Sequence, residues 1–508
     1  MRVLIWAQLF LCAGSYLGAS AQTFNTRFDL FSEGGSQFGW GVEVDSTGSY
    51  IVFFAGGYIQ DSVQYGSALS TVTCSPEGVF GNGFRLHIPW HNSYVGWANC
   101  AAPRTEGGYI VGSSTSVAGD TIRAALFWVE PDGTITNYRE LELPGLEWIG
   151  RQAKQTPDGG FLLCGETSTV GIIDAFLLKT DANGTLEWVR TYGSPNKRDY
   201  FFSVDLAPWG GYYVGGTREI GPNDYDPWIL GLDVLGNVIW QGDYGTPQND
   251  YPPAHLTTAS NGNVRMAATL NFGVGQTTQR ACLLELDPNG AVVWQRLYGP
   301  QRHSAMFVVQ EIEPSGDLIS AGFSNVIVNY KGVLLRTTST GDSLWMRDYQ
   351  YNDALVEQGR GGLYDVQPTP DGGFIAVGVA LTVNGIYSQD VWVIKTDSMG
   401  CLEPGCDVIT GMETQLTNFK DALRVYPNPV LAGGAVRVEL QLPVGFKADG
   451  PLQLTVTNGL GQLVHRQQLA GVSSAPLLWR WAGGEAGLYH LHLHDNTRWI
   501  AGAKLVVE

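Results

Sequence analysis

Apolar and polar positions fall along this chain in short blocks, not at helical spacing. Residues 157–193 show the unit. Asp158-Gly159-Gly160 leads into the apolar run Phe161-Leu162-Leu163-Cys164, and a polar loop follows. Ala175-Phe176-Leu177-Leu178 is then turned by Asp181-Ala182-Asn183-Gly184 into a segment carrying Trp188 and Val189. Asn-Gly and Asp-x-x-Gly turns supply the positive φ that tight hairpins need. Short apolar runs bounded by such turns predict strands buried on both faces. The unit is therefore two hairpins, four strands in all.

The unit recurs. The residue after the first turn is Tyr50, Tyr109, Phe161, Tyr212, Val264, Leu318 and Phe374, and the glycine of the second turn is Gly78, Gly133, Gly184, Gly236, Gly290, Gly341 and Gly400. Trp188, Trp240, Trp294 and Trp345 follow that glycine at a constant distance. Four strands at this period predict one propeller blade, and both markers count seven. The last unit has a third strand, Val391-Trp392-Val393-Ile394, but no fourth. Thr26-Arg27-Phe28-Asp29-Leu30-Phe31 matches the fourth-strand segment that begins at Val189, so the N-terminal strand is expected to complete the last blade. Closure removes the free sheet edge, and an open solenoid would have no use for that complement.

Outside the repeat, residues 1–21 read as a secretory signal: Arg2, an apolar core from Val3 to Cys12, and Ala19-Ser20-Ala21 before a cut between Ala21 and Gln22. Leu11 is too bulky for Cys12 to be a lipoprotein cysteine. No later run is long and apolar enough to span a bilayer as a helix. The repeat occupies residues 22–406, a polar linker 407–419, and a segment of alternating strands 420–508. That alternation predicts a small antiparallel sandwich with one wet face per sheet. The fold class is all-β.

Composition agrees, with 66 glycines, 16 tryptophans and only 15% charged residues. A net charge of −18, with no basic run, argues against a nucleic-acid surface. Of seven cysteines, six remain after the signal. Cys401 and Cys406 flank a short turn and are expected to pair. Cys74 and Cys100 are left open between a bridge and free thiols, and Cys164 and Cys282 read as buried thiols.

The C-terminal segment resembles the type A sorting domain of the type IX secretion system. The matching residues are Val425-Tyr426-Pro427-Asn428-Pro429, Asn458-Gly459-Leu460-Gly461-Gln462-Leu463-Val464, Gly487-Leu488-Tyr489 and the terminal Lys504-Leu505-Val506-Val507-Glu508. Asn458 stands where that family often has Asp. The resemblance implies an Ig-like sandwich recognised by an outer-membrane translocon, then removed by a sortase-like enzyme. The cargo is attached to surface lipopolysaccharide or released outside the cell. Tyr426, Pro427, Asn428, Pro429, Gly461, Gly487, Tyr489 and Lys504 would carry the sorting signal. From the residues alone, Pro427 and Pro429 fix a rigid turn entering a strand. The blades resemble, more loosely, propeller repeats of exported bacterial proteins, through Leu178-Lys179-Thr180-Asp181 and Ile394-Lys395-Thr396-Asp397.

In such a blade the glycine turns share one edge, and the longer, more varied loops share the other. Ligand contacts are expected on the loop-bearing edge. Its candidates mix aromatic and polar groups: Trp90, His91, Tyr94, Arg198, Tyr200, Asp224, Tyr225, Asp226, Asp250, Tyr251, Arg302 and His303. The competing reading makes Tyr200, Tyr225 and Tyr251 spacers between blades and the acids turn caps, because the aromatic recurs at the repeat period.

No metal or cofactor site is expected. The histidines lack ligand spacing, and His490, His492 and His494 read as an exposed polar strand face. Asp181, Asp287 and Asp397 read as turn caps, not calcium ligands. No arginine triad, Cys-Cys pair or catalytic triad stands out. The expected function is a non-catalytic surface or secreted module that binds glycan or protein. The alternatives are a polysaccharide hydrolase or lyase with Asp224 and Asp226 in the central cleft, and a structural cell-coat protein.

Overall fold

Strands start and stop where the turn residues place them. The structure is a computed structural model, describing residues 23–28, 36–61, 64–86, 88, 91–117, 121–145, 147–169, 172–222, 224–272, 279–299, 304–326, 329–351, 360–381, 389–402, 423–440, 451–458, 463–469, 477–480, 486–494 and 499–508. At the second turns, Asp181 Oδ1 accepts the N–H groups of Asn183 and Thr185, both at 2.8 Å. Asp287 does the same for Asn289 and Ala291, and Asp397 for Met399 and Cys401. All three are turn caps, as expected.

The chain divides into two compact units, Met1–Ile409 and Thr410–Glu508. Among the described residues both contain strands and no helix. The first unit is a succession of antiparallel four-stranded meanders and is propeller-like. The 147–192 meander, for example, runs Glu147–Gln155, Phe161–Thr169, Ile172–Thr180 and Leu186–Tyr192. Meanders 37–85, 199–243, 251–298 and 304–349 each form a separate four-stranded sheet. The 91–140 and 147–192 meanders merge into one nine-stranded sheet through a single parallel pair, Glu147 with Ile122. In the 91–140 meander the first strand is split into His91–Val95 and Ala101–Pro103.

The last meander, 360–396, takes its fourth strand from the N-terminus. Phe24–Phe28 pairs antiparallel with Gln389–Thr396, placing Thr26 opposite Val393 and Arg27 opposite Trp392. The register corrects the sequence alignment by one residue. Arg190, not Val189, stands opposite Leu177 in the 147–192 meander, and Lys179 faces Trp188 as Lys395 faces Phe24. Phe24 thus stands in the tryptophan position. While this strand pairs with the last meander, Phe28 packs on Phe54 and Phe80 of the first, with ring centroids 5.8 and 4.7 Å away. A shared core of Val42, Val52 and Phe54 with Ile375, Val377 and Val393 runs between the same two meanders.

One device repeats at the seams. The fourth-strand tryptophan covers the second-turn glycine of the next meander. At Gly236, φ is +77°, and a Cβ would lie 3.0 Å from the Trp188 ring, so only glycine fits on both counts. A tyrosine four residues further on donates its hydroxyl to that glycine's carbonyl. Tyr192 bonds Gly236 at 2.7 Å, Tyr244 bonds Gly290 at 2.8 Å, Tyr298 bonds Gly341 at 2.6 Å and Tyr349 bonds Gly400 at 2.7 Å. Cys74, Cys100, Cys164 and Cys282 are buried free thiols, which excludes a Cys74–Cys100 bridge. Cys401 is buried, and Cys406 lies outside the described residues.

The second unit has a three-stranded sheet, Leu423–Tyr426, Ala435–Leu440 and Leu477–Arg480. Its four-stranded sheet is Leu463–Leu469, Leu452–Asn458, Gly487–His494 and Trp499–Val507. Val436, Val438, Leu454, Val456, Leu491 and Leu505 form its core. His490, His492 and His494 are half-buried, which corrects the expected exposed face. Burial, then the neighbouring imidazoles, holds His492 below the usual histidine range.

Trp392 is wholly buried, and its Nε1 donates to Asn25 Oδ1 at 2.6 Å. Trp392→Ala should therefore lower unfolding stability by about 3–5 kcal/mol. Tyr349→Phe, which orphans the buried Gly400 carbonyl, should lower it by about 1–3 kcal/mol. Urea titration of both variants checks the pair.

Candidate functional site

The loop-bearing edge lies opposite the glycine turns, and the structure assigns its predicted residues unequal roles. Trp90, Arg302 and His303 lie outside the described residues, as does the Tyr251 side chain. His91 Nε2 sits 3.8 Å from Glu140, which also takes the Thr115 hydroxyl at 2.9 Å and Arg123 at 3.2 Å. Tyr94 is exposed, with its hydroxyl 3.1 Å from that of Ser116. Arg198 is exposed, and its backbone N–H donates to Glu219 at 3.0 Å. Tyr200 and Tyr225 meet at 6.2 Å between ring centroids.

Two acids at equivalent repeat positions are caps. Asp199 accepts the N–H groups of Ser194 at 2.6 Å and Glu219 at 3.2 Å, and Asp250 those of Thr246 at 2.8 Å and Asn271 at 2.6 Å. Both are fully buried. Burial pushes the Asp199 carboxyl up to about 6 and that of Asp250 up to about 7, against these donors. Asp250 is thus an architectural group and not an open ligand contact.

Asp226 differs. It is 7% exposed, and its Oδ1 has no hydrogen-bond partner. Burial, then the charges of Asp224 and Asp243, push its carboxyl up to about 6, with Arg218 opposing. A Cβ at Gly245 would lie 2.1 Å from Asp226 Oδ1 and 2.6 Å from Asp250 Oδ2, so this glycine lets the backbone pass between two carboxyls. Gly245 borders a groove of about 610 Å³, lined also by Thr246, Gln248, Asn271, Phe272 and Gln295. That volume lies in the range of small-molecule sites. Phe272 is 54% exposed and faces amide side chains, an arrangement able to stack on and hydrogen-bond a ligand.

A second constellation escaped the sequence reading. Most first strands carry a bulge at one repeat position, between Gly39 and Gly41, Gly150 and Gln152, Phe201 and Ser203, Met306 and Val308, and Leu363 and Asp365. An extra residue in a strand re-aims its side chain. The bulged side chains, with Trp97 from the split strand, form an arc of rings. Trp40 lies 4.9 Å from Trp97 and 4.7 Å from Tyr364, and Tyr364 lies 5.1 Å from Phe307. Trp97 approaches Phe202 at 6.3 Å, and Phe202 approaches His255 at the same distance. The Arg151 guanidinium lies over Trp97 and Phe202, at 5.7 and 5.8 Å. Glu166 holds that guanidinium through two of its nitrogens.

Closer to the glycine turns, the same strands enclose a polar cavity of about 190 Å³. Glu43, Gln152, Lys154, Asp205, Gln310 and Gln367 are among its lining residues, and Lys154 pairs with Asp205 at 3.0 Å. Burial, then Asp365, pushes Glu43 up to about 8. Burial pushes Asp365 up to about 8 as well, although it accepts the Val42 N–H at 2.9 Å. Asp224 and Asp226 do not line this cavity, because they belong to the third strand of their meander, Asp224–Leu232. That corrects their expected place in a central cleft.

In the second unit, Tyr426, Pro427, Asn428, Pro429, Gly487 and Lys504 are exposed and Tyr489 is buried, while Gly461 lies outside the described residues. Asn428 Nδ2 donates to the Lys504 carbonyl at 2.7 Å, and its Oδ1 accepts the Val506 N–H at 2.9 Å, so the turn is strapped to the terminal strand. Ala21 and Gln22 lie outside the described residues. Among the described residues no group of His, Cys, Asp and Glu side chains could hold a metal ion.

No protein-family model and no curated protein matches the chain. Among solved structures it is similar to a protein of unknown function from Dyadobacter fermentans DSM 18053, at 11% identity and TM-score 0.43, covering 74% of this chain and 98% of that one. It is also similar to α-L-arabinanase from Penicillium chrysogenum complexed with arabinobiose, at 12% identity and TM-score 0.39, covering 59% and 93%. A third is the NanB sialidase from Streptococcus pneumoniae, at 10% identity and TM-score 0.40, covering 73% and 70%.

The raised Asp226 carboxyl carries a pH signature. Between the unfolded value near 4 and the folded value of about 6, the folded chain binds more protons, so this group's contribution to stability falls as pH rises. Asp226→Asn should leave stability at pH 4 nearly unchanged and raise it by about 1–2 kcal/mol at pH 7.5. Urea unfolding across that range checks this.

Proposed function

We propose that the chain is an exported surface protein whose first unit is a closed seven-bladed propeller that binds ligand on its loop-bearing edge. The N-terminal strand supports closure, since it pairs with the last meander and packs on the first. The axial cavity supports the count, because Glu43, Ala102, Gln152, Asp205, Thr257, Gln310 and Gln367 reach it from the first strands of all the meanders.

The observation that carries the binding role is the groove at Gly245, where an exposed Phe272 faces Gln248 and Gln295. An aromatic face beside amide groups suits a glycan, and a protein is the second class of ligand. The hydrolase reading gains nothing from the axial carboxyls. Their cavity of about 190 Å³ falls short of the roughly 300 Å³ at which ligand pockets begin.

The second unit is the type IX sorting domain of this proposal. Its exposed Tyr426–Pro429 turn, held against the terminal strand by Asn428, is the shape offered to the translocon. The signal at residues 1–21 takes the chain across the inner membrane. A sortase-like enzyme then removes the second unit and attaches the cargo to lipopolysaccharide or releases it. A disulfide between Cys401 and Cys406 would pin the last meander.

Truncation before Tyr426 should leave the protein in the periplasm, and cell fractionation with surface labelling reads the result. Normal surface display of the truncated chain would remove the sorting assignment. On a glycan and protein array, Phe272→Ala should weaken retention of the bound ligand about tenfold or more.

A further inference from the structure

The arc of rings in the first unit has properties that packing alone does not require. Trp40, Trp97 and Tyr364 are partly exposed, while Phe202, Phe307 and His255 lie buried beside them. Packing would be served by any apolar side chains, yet the arc includes polar ring nitrogens without partners. Trp97 Nε1 and both nitrogens of His255 are buried and make no hydrogen bond with the protein. Buried donors and acceptors left unpaired are costly, and a cluster of them marks a place where a hydrogen-bonding guest belongs. Aromatic faces around such groups suit a molecule with apolar C–H faces and a polar rim.

Charge narrows the guest. Arg151 is the cation of the arc, and Glu166 occupies it through two nitrogens, leaving it neutralised. His255 is 1% exposed, and its burial, then the Arg151 charge, holds its imidazole near 3, so it stays uncharged at ordinary pH. A carboxylate on the guest would meet no free counter-charge here, and the chain's net charge of −18 would repel it.

Resting on the ligand-binding reading above, we propose that this arc is a site for an uncharged carbohydrate, one sugar ring stacking on Trp40 and Trp97 with its hydroxyls turned to Trp97 Nε1 and His255. The bulges make the site, because each aims a first-strand side chain toward the shared arc instead of along the regular pleat. The groove at Gly245 is a separate surface, formed by different strands.

The test uses the purified full chain, titrated with cellohexaose, laminarihexaose, xylohexaose and mannohexaose, and with sialyllactose and oligogalacturonate as charged counterparts. Binding is read by tryptophan fluorescence and calorimetry. At least one neutral oligosaccharide should bind and shift the emission, and the charged ones should bind at least tenfold more weakly. Trp97→Ala should weaken the neutral ligand at least tenfold, and Trp97→Phe, which keeps a ring but loses the N–H, should restore only part of it. Trp40→Phe covers the case in which Trp97→Ala fails to fold, and a weakening of threefold or more is expected.

Affinity should stay level from pH 5 to pH 8, since His255 does not titrate there. Binding that survives both tryptophan changes but falls in Phe272→Ala would overturn the arc and leave the groove reading standing. Binding of acidic sugars alone, or of a protein with no sugar bound, would overturn the proposal. No binding of any oligosaccharide would overturn both the arc and the glycan form of the groove reading.

Discussion

Among the described residues, neighbouring meanders in the first unit share few backbone hydrogen bonds, so side chains must hold the seams. The seams join apolar clusters with polar bonds at fixed points. At four seams a fourth-strand indole covers a glycine and a tyrosine hydroxyl closes on that glycine's carbonyl, and side-chain acceptors on first strands bind the next first strand. Gln152 takes the Val204 N–H at 2.8 Å, Ser203 that of Leu256 at 3.0 Å, Asp205 that of Thr258 at 2.7 Å and Asp365 that of Val42 at 2.9 Å. A seam of this kind is strong only when every polar group in it is met, since an unpaired one loses more than a paired one gains. It also fixes register, because each bond requires one residue at one height.

The architecture was legible because its punctuation is chemical. Asp-x-x-Gly and Asp-Gly-Gly turns demand particular backbone conformations, and they mark strand ends more sharply than propensity does. Where that punctuation is missing, the reading slipped. The N-terminal strand has no turn glycine before it and no tryptophan, so its alignment fell one residue off, with Phe24 standing in for the indole. Trp128 shows another substitution. It lies on the third strand of its meander, Ile122–Val129, yet still covers Gly184, whose Cβ would lie 2.8 Å from the ring.

The candidate sites were less legible, for physical reasons. Asp250 and Asp226 look alike in sequence, and only burial and backbone donors separate a cap from an unpaired acid. The arc of rings depends on a bulge, which leaves no composition signal of its own. A weak trace was present: an aromatic residue stands ten positions before Tyr50, Tyr212 and Phe374, at Trp40, Phe202 and Tyr364. Arg151 breaks that ladder, which is why a search for repeated aromatics passes over it. In the second unit, the Asn428 strap explains how an exposed two-proline turn keeps one shape.

The seam formed by the N-terminal strand carries neither an indole nor a phenol. Phe24 and Phe28 stand where four other meanders place tryptophan and tyrosine, so that join relies on shape, the strand ladder and the Arg27–Asp390 pair at 2.5 Å. Departure of those residues would bare the backbone of Gln389–Thr396, an edge ready to accept the same strand from a second molecule. That join is thus also a place where two copies can trade termini, which gives this fold a simple route to dimers.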